Sequence, residues 1–227
     1  MSQTSIRFND AEFYARPGTW DEAVIKEVFK GEYKKLQITP DDVVLDIGSN
    51  IGCFSIWACQ QGCKNVIGFE PEPDNFRLAT MNLKRHVPDD SRYTMHECAV
   101  VGNDDSHRRF YVNVKKNKGL HSLIPRRGRK EIRVACRNIN EIIHTYQPTI
   151  VKCDIEGGEY ELIRAITCYG PIRQFIFEWH HECLKDLDTH EKYEEIKALL
   201  RTKFDVVDAR EETKKTWTDL VYCHMHI

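Results

Sequence analysis

From residue 43 onward, short apolar runs alternate with helix-like stripes. The runs Val43-Val44-Leu45, Val66-Ile67, Ile150-Val151 and Phe175-Ile176-Phe177 are each bounded by polar or turn residues. That pattern is expected of strands buried on both faces. Between them, apolar residues recur three and four apart: Phe54, Trp57 and Ala58; Phe76, Ala79, Thr80 and Leu83; Tyr193, Ile196, Leu199 and Leu200. These spacings predict helices over 51–61, 71–85 and 191–203. Strands are expected at 43–47, 65–70, 93–100, 149–154 and 174–178, with two more, 110–114 and 132–135, around a long polar excursion. Upstream, Val24, Ile25, Val28, Phe29 and Leu36 form a further helical stripe. Thr19 with Glu22 three positions on reads as the capping box that opens it. The last two apolar runs, 204–207 and 220–224, have no helical stripe between them and suit an antiparallel edge hairpin. The pattern predicts an α/β fold: a Rossmann-like seven-stranded, mostly parallel sheet with helices on both faces and an antiparallel C-terminal edge hairpin. No linker-like stretch interrupts residues 1–227, so one domain is expected. Residues 1–37 would be a helical segment covering the site, and 102–135 a basic insertion loop.

Composition narrows the class. A chain of 227 residues buries a substantial core without disulfides or metal. Its nine cysteines form no Cys-x-x-Cys pair, and Cys59, Cys98, Cys153 and Cys223 sit inside apolar segments. Free thiols in a reducing compartment are therefore expected. The formal net charge of −2 gives no reason to expect a nucleic-acid partner. The N-terminal residues lack an apolar signal core and no apolar run reaches membrane-spanning length, so the expected location is the cytoplasm. Oligomeric state is not legible.

The candidate chemistry begins at Asp46-Ile47-Gly48-Ser49-Asn50-Ile51-Gly52, between the first strand and its helix. A small-residue turn there lets a ligand approach the main chain. The dinucleotide fingerprint would need glycine at 50 and 53, where Asn50 and Cys53 stand. An acid ahead of the glycines suits a cofactor with an amino-acid tail and no pyrophosphate, such as S-adenosylmethionine. Glu70, ending the second strand, can accept hydrogen bonds from both ribose hydroxyls; its competing role is a helix N-terminal charge. Asp154, Glu178 and His180 end the fourth and fifth strands, where open α/β sheets bind ligands.

These residues resemble a known family. Asp46-x-Gly48-x-Asn50-x-Gly52 is similar to motif I of class I S-adenosylmethionine-dependent methyltransferases. Together with Gly68-Phe69-Glu70-Pro71-Glu72-Pro73, Val151-Lys152-Cys153-Asp154-Ile155-Glu156-Gly157-Gly158-Glu159, Asn117-Lys118-Gly119-Leu120-His121-Ser122-Leu123 and Phe177-Glu178-Trp179-His180, it resembles the FkbM-type methyltransferases. The resemblance runs from about Pro17 to the C-terminus. Ser49, where alanine is common, and His121, where a small residue is usual, depart from the pattern. The resemblance implies that Asp46, Gly48, Asn50 and Gly52 line the methionine end of the cofactor, with Ser49 beside them. It implies that Glu70 and Pro71 meet the ribose, and Cys98, Ala99 and Val100 the adenine. It further implies O-methylation, often of sugar or polyketide hydroxyls, with a deoxyhexose in a glycan favoured here.

A sugar hydroxyl has a high pKa, so a general base helps; Asp154 and His180 are the candidates. His121, Ser122, Glu156 and Glu178 are candidate acceptor contacts. His181, a neighbour on the strand, would face away from His180. No metal is expected. The weaker alternative is a divalent ion on Asp154, Glu178 and His180, with magnesium favoured by carboxylate oxygens; zinc near Cys183 is weaker still. Lys115, Lys116, Lys118, Arg126, Arg127, Arg129, Lys130 and Arg133 make the excursion basic. A solvated loop is the favoured reading, ahead of a lid that attracts an anionic acceptor. Nucleic acid is disfavoured because interleaved aromatics are missing. Two other functions stay open: methylation of a lipid, polyketide or RNA hydroxyl, and a catalytically silent cofactor-binding subunit.

Overall fold

A computed structural model describes residues 4–114, 120–180, 189–208 and 218–226. In chain order the elements are β1 (Ser5–Phe8), β2 (Ala11–Tyr14), α1 (Asp21–Glu27), β3 (Val43–Ile47), α2 (Cys53–Gln60), β4 (Asn65–Phe69), α3 (Pro73–His86), β5 (Tyr93–His96), β6 (Ala99–Val101), β7 (His107–Val112), β8 (Lys130–Asn138), α4 (Ile139–Tyr146), β9 (Ile150–Cys153), α5 (Glu159–Ala165), β10 (Gln174–His180), α6 (Thr189–Arg201), β11 (Phe204–Asp208) and β12 (Thr218–Met225). Seven strands form the main sheet in the order β11-β12-β10-β9-β3-β4-β5. The five from β10 to β5 run parallel, and β12 lies antiparallel between β10 and β11. The sheet and its C-terminal hairpin are those the sequence predicts. Strand order reverses between β3 and β9, so a crevice opens where these two strands end.

Alternation along each strand divides the core. Leu45, Ile67, Val151 and Phe175 face one layer, packed against Ile139, Ile142, Ile163, Ile196 and Leu200 of α4, α5 and α6. Their neighbours Val44, Val66, Ile150 and Ile176 face the other layer, against Phe54, Ile56, Leu78 and Leu83 of α2 and α3 and against Phe13, Ile25 and Val28. A strand buried on both faces needs apolar residues at consecutive positions, which is why β3 and β9 read as unbroken runs.

Several expectations are corrected. The N-terminal segment opens with a hairpin, β1 paired antiparallel to β2, and not with a helix. The capping box does not form. Thr19 Oγ1 donates to the Arg16 carbonyl at 2.7 Å and accepts weakly from Asp21 N, while Glu22 pairs with Lys26. Helix α1 is short; the chain widens into a π-type turn over Val28–Glu32 and breaks at Gly31. The strand expected at 93–100 is two strands with different partners: β5 joins the main sheet, and β6 pairs with β8 in a separate three-stranded sheet. Both pieces are extended, and the change of partner is a tertiary event that a local pattern does not carry. The span 102–135 is largely structured, since β7 and β8 form an antiparallel ladder around a small core of Ala99, Val101, Phe110 and Val134. Lys115, Lys116, Lys118, the stretch 117–119, His181 and Cys183 lie outside the described residues. Cys59, Cys98, Cys153 and Cys223 are free buried thiols, as expected. Among the described residues, no helix is long and apolar enough to cross a membrane.

Candidate active site

The crevice at the strand-order reversal is the mouth of a cavity of about 660 Å³. One end is built by the turn after β3. Gly48, Asn50 and Gly52 all take positive φ, at 81°, 50° and 85°. Asparagine tolerates this left-handed backbone better than most residues. At Gly48 a side chain is excluded twice over, because a Cβ would overlap the Asp154 carbonyl oxygen as well as strain the backbone. The Asn50 Oδ1 atom is buried without a hydrogen-bond partner on a residue of the cavity wall. It is an acceptor suited to a ligand's donor.

Glu70 is buried just past the end of β4. Its Oε2 accepts from the Asn50 backbone N–H at 2.8 Å and its Oε1 from that of Glu72 at 2.9 Å. Each oxygen keeps a further lone pair for a ligand hydroxyl. Burial pushes the Glu70 carboxyl up to about 8, against the pull of those two N–H groups. Pro71, Ser49, Cys98, Ala99 and Val100 also line the cavity. Asp46 and Gly52 do not. Asp46 is fully buried behind the wall, accepting from Ser55 Oγ at 2.6 Å and standing 3.4 Å from Lys152 Nζ. Gly52 opens α2 and packs against the backbone of α3, where a Cβ would lie 3.1 Å from the Ala79 Cα.

The other end gathers charge. Asp154, Glu156, Glu178 and His180 converge there, joined by Glu27 and Glu32 from the N-terminal segment. His180 is 6 % exposed. Its Nδ1 lies 2.9 Å from Glu159 Oε1, while Nε2 stands 3.8 Å from Asp154 Oδ1 and 3.6 Å from Glu156 Oε2. Burial alone would lower the imidazole pKa, but Glu156, Glu159 and Glu178 outweigh it and raise it well above its ordinary value. Burial likewise pushes Glu156 up, to about 8, despite the attraction of His180. Glu156 has a left-handed backbone (φ 59°), an unusual conformation for a residue other than glycine or asparagine, and costs of this kind collect at functional sites.

Two side chains central to this end were not among the residues predicted for the site. Lys152, 5 % exposed on β9, donates to the Gly48 carbonyl at 2.7 Å and stands within 3.4–3.6 Å of Asp46 and Asp154. It therefore bolts the turn after β3 to the end of β9. Burial disfavours its charge, but Asp46 and Asp154 hold its pKa above the usual lysine value. A lysine inside the apolar run 149–153 was the available signal, since a buried ammonium must be paired. Glu159, 1 % exposed, accepts from Ile155 N at 3.0 Å and fixes the His180 ring.

Of the loop candidates, His121 lines the cavity, whereas Ser122 stands behind it. The Ser122 hydroxyl donates to the Glu156 carbonyl at 2.8 Å and its backbone bridges to Tyr111. Within the described part of the basic excursion, Arg126 reaches the cavity wall. Residues 20–33 close the mouth with Trp20, Val24, Val28 and Tyr33; Trp20 is 57 % exposed.

Comparison with known proteins adds a family. The sequence profile of the Methyltransferase FkbM domain matches residues 46–203. Hexuronic acid methyltransferase AglP of Haloferax volcanii is 30% identical over 128 residues, 56% of this chain and 51% of that protein. AMB antimetabolite synthetase AmbE of Pseudomonas aeruginosa is 24% identical over 244 residues, 89% of this chain but 11% of that protein. This chain thus spans about half of one curated relative and about a tenth of the other. Among solved structures, a methyltransferase FkbM from Methylobacillus flagellatus KT superposes with a TM-score of 0.54 at 19% identity, covering 85% of this chain and 46% of that one. At that identity the likeness establishes the fold.

Proposed function

Because the chain belongs to the FkbM methyltransferase family, we propose that it moves the methyl group of S-adenosylmethionine to an oxygen of a sugar. The observation that carries this reading is the single cavity joining two chemistries: Asn50 and Glu70 at one end, and Asp154, Glu178 and His180 at the other. When bound, the cofactor supplies an electrophilic methyl group on a sulfonium leaving group. The residues present suit it. Glu70 offers lone pairs to the ribose hydroxyls, Asn50 Oδ1 awaits a donor from the amino-acid tail, and Cys98, Ala99 and Val100 give the adenine an apolar wall.

At the far end the chain's task is to hold an acceptor oxygen in line with the methyl group and to remove its proton. Asp154 takes the proton, with Lys152 Nζ 3.6 Å and the Glu159-fixed His180 ring 3.8 Å from its carboxylate. Glu156, Glu178 and His121 bind neighbouring hydroxyls. Ser122 acts one step back, through Glu156. A sugar is favoured over a lipid or polyketide by these polar groups, and by AglP, whose name specifies a hexuronic acid.

The test is transfer from labelled S-adenosylmethionine to a panel of deoxyhexoses, hexoses and uronic acids, free and in oligosaccharides. Asp154→Asn is expected to lower turnover at least 100-fold while leaving cofactor affinity within about twofold. Cofactor binding without transfer to any member of the panel would refute the sugar reading. It would leave a lipid, polyketide or RNA hydroxyl as acceptor, or the silent cofactor-binding subunit, as the remaining accounts.

A further inference from the structure

We propose that Asp154, Glu178 and His180 form a divalent-cation site at the acceptor end of the cavity, where the ion would hold oxygen atoms of the acceptor. The proposal deepens the transfer reading and rests on it for the identity of the ion's second partner.

The geometry begins with the sheet. Glu178 and His180 are two apart on β10 and so share a face, and β9, whose end carries Asp154, is the neighbouring parallel strand. One ligand atom from each of the three lies within 4.8 Å of the others. An ion bonded at about 2.1–2.3 Å bridges donors up to about 4.5 Å apart. The 3.8 Å between His180 Nε2 and Asp154 Oδ1 is inside that span and too long for a hydrogen bond.

A second observation concerns His180 itself. Its Nδ1 faces Glu159 Oε1 at 2.9 Å on a side chain 7 % exposed. A carboxylate on the far nitrogen is the partner that metal-bound histidines keep; an ion displacing the other proton of the ring would find the Nε2 lone pair pointing into the cluster. A fourth donor is also at hand. Glu156 Oε2 is buried with no hydrogen-bond partner, 3.6 Å from the same Nε2.

Charge points the same way. Glu27, Glu32, Asp154, Glu156 and Glu178 line the cavity, against Lys152, Arg126 and His180. An acceptor bearing a carboxylate would be repelled there unless a cation stood between. Three protein donors leave coordination positions open for two acceptor oxygens, and the ion would lower the pKa of a bound hydroxyl. Two carboxylates and one imidazole suit manganese or magnesium better than a thiophilic metal. The rival account is a plain ion-pair cluster in which a protonated His180, together with Lys152 beside Asp154, balances the acids.

The two accounts part in a metal-binding experiment on the full chain after chelator treatment. Titration with Mn²⁺, followed by the loss of its free electron paramagnetic resonance signal, should saturate at one ion per chain. Glu178→Gln and Asp154→Asn should each weaken uptake at least tenfold. Glu161→Gln, on an exposed residue paired with Arg108, should leave it unchanged. Thermal melts of each variant show that fold is retained. No saturable uptake by the unaltered chain, or uptake indifferent to both cluster variants, overturns the cation site. Calorimetry of S-adenosylmethionine with the metal-free chain separates the two readings. Cofactor binding without Mn²⁺ uptake sinks the cation site alone, and Mn²⁺ uptake without cofactor binding sinks the transfer reading.

Discussion

Glu70 shows how much a single residue can state and conceal. Its position after the second strand suggests a ribose ligand, but the two backbone N–H bonds and the raised pKa depend on how the turn at Asn50 folds back. A carboxyl pushed up to about 8 is largely protonated at pH 7 and must ionise to accept two hydroxyl hydrogens. Cofactor affinity should therefore rise from pH 6 to pH 8, with a proton released on binding near pH 7. Calorimetry in buffers of different ionisation enthalpy reads that proton. Glu70→Gln should flatten the pH dependence and weaken binding at least tenfold. A pH-independent affinity in the unaltered chain would remove Glu70 from the ribose contact. In the cofactor-free chain the folded pKa exceeds the unfolded value of 4.5, so this group's stabilising contribution is complete below that pH and lost as pH rises through about 8. Lys152 and Glu159 were less legible, because their roles exist only once β3, β9 and β10 lie side by side.

At the scale of elements, the N-terminal segment differs most from its prediction and matters most to the cavity. Its apolar stripe was legible; its hairpin was not, since β1 and β2 are four residues each with only partial alternation. What fixes it is polar. The Asn82 side chain accepts from Tyr14 N at 2.7 Å and donates to the carbonyls of Tyr14 and Ile51 at 3.0 and 2.9 Å. Arg16 reaches Asn75 of α3 at 2.7 Å while holding Asp21. Asn82→Ala removes three bonds and strands buried backbone groups, for an expected loss of about 3 kcal/mol. Limited proteolysis should then cut first within residues 1–37. Unchanged protection of that segment would show that apolar packing alone holds it.

For the molecule as a whole, the alternation of runs and stripes was enough to give the sheet, because a strand buried on both faces leaves few other readings. Strands near β7 and β8 were legible too, but the pairing of β6 with β8 and the helix α4 escaped, since the partner of β6 is distant and the stripe of α4 is short. The end of the main sheet opposite the cavity is closed by Asp42, which accepts from Thr39 N at 2.7 Å, Thr149 Oγ1 at 2.6 Å and Arg173 Nε at 2.9 Å. Burial alone would raise its pKa, but Arg173, Thr149 and Thr39 together lower it below 3.8. Its contribution is therefore present above that pH and lost as pH falls through the lower folded value. Asp42→Asn should cost about 2 kcal/mol at pH 7 in denaturant melts, with the gap to the unaltered chain closing below pH 4. A gap constant with pH would assign the loss to packing.

The wall that carries Glu32 is tied by the Tyr222 hydroxyl to the Glu32 carbonyl, a contact across 190 positions of chain. Gln174 makes a similar tie, accepting from Gln37 N at 2.9 Å and donating to its carbonyl at 2.7 Å. Seams that long carry a loop-closure cost that neither segment offsets by itself. As the chain leaves the ribosome, then, the turn after β3 has β9 to hold it well before the segment carrying Glu32 has β12 to lean on.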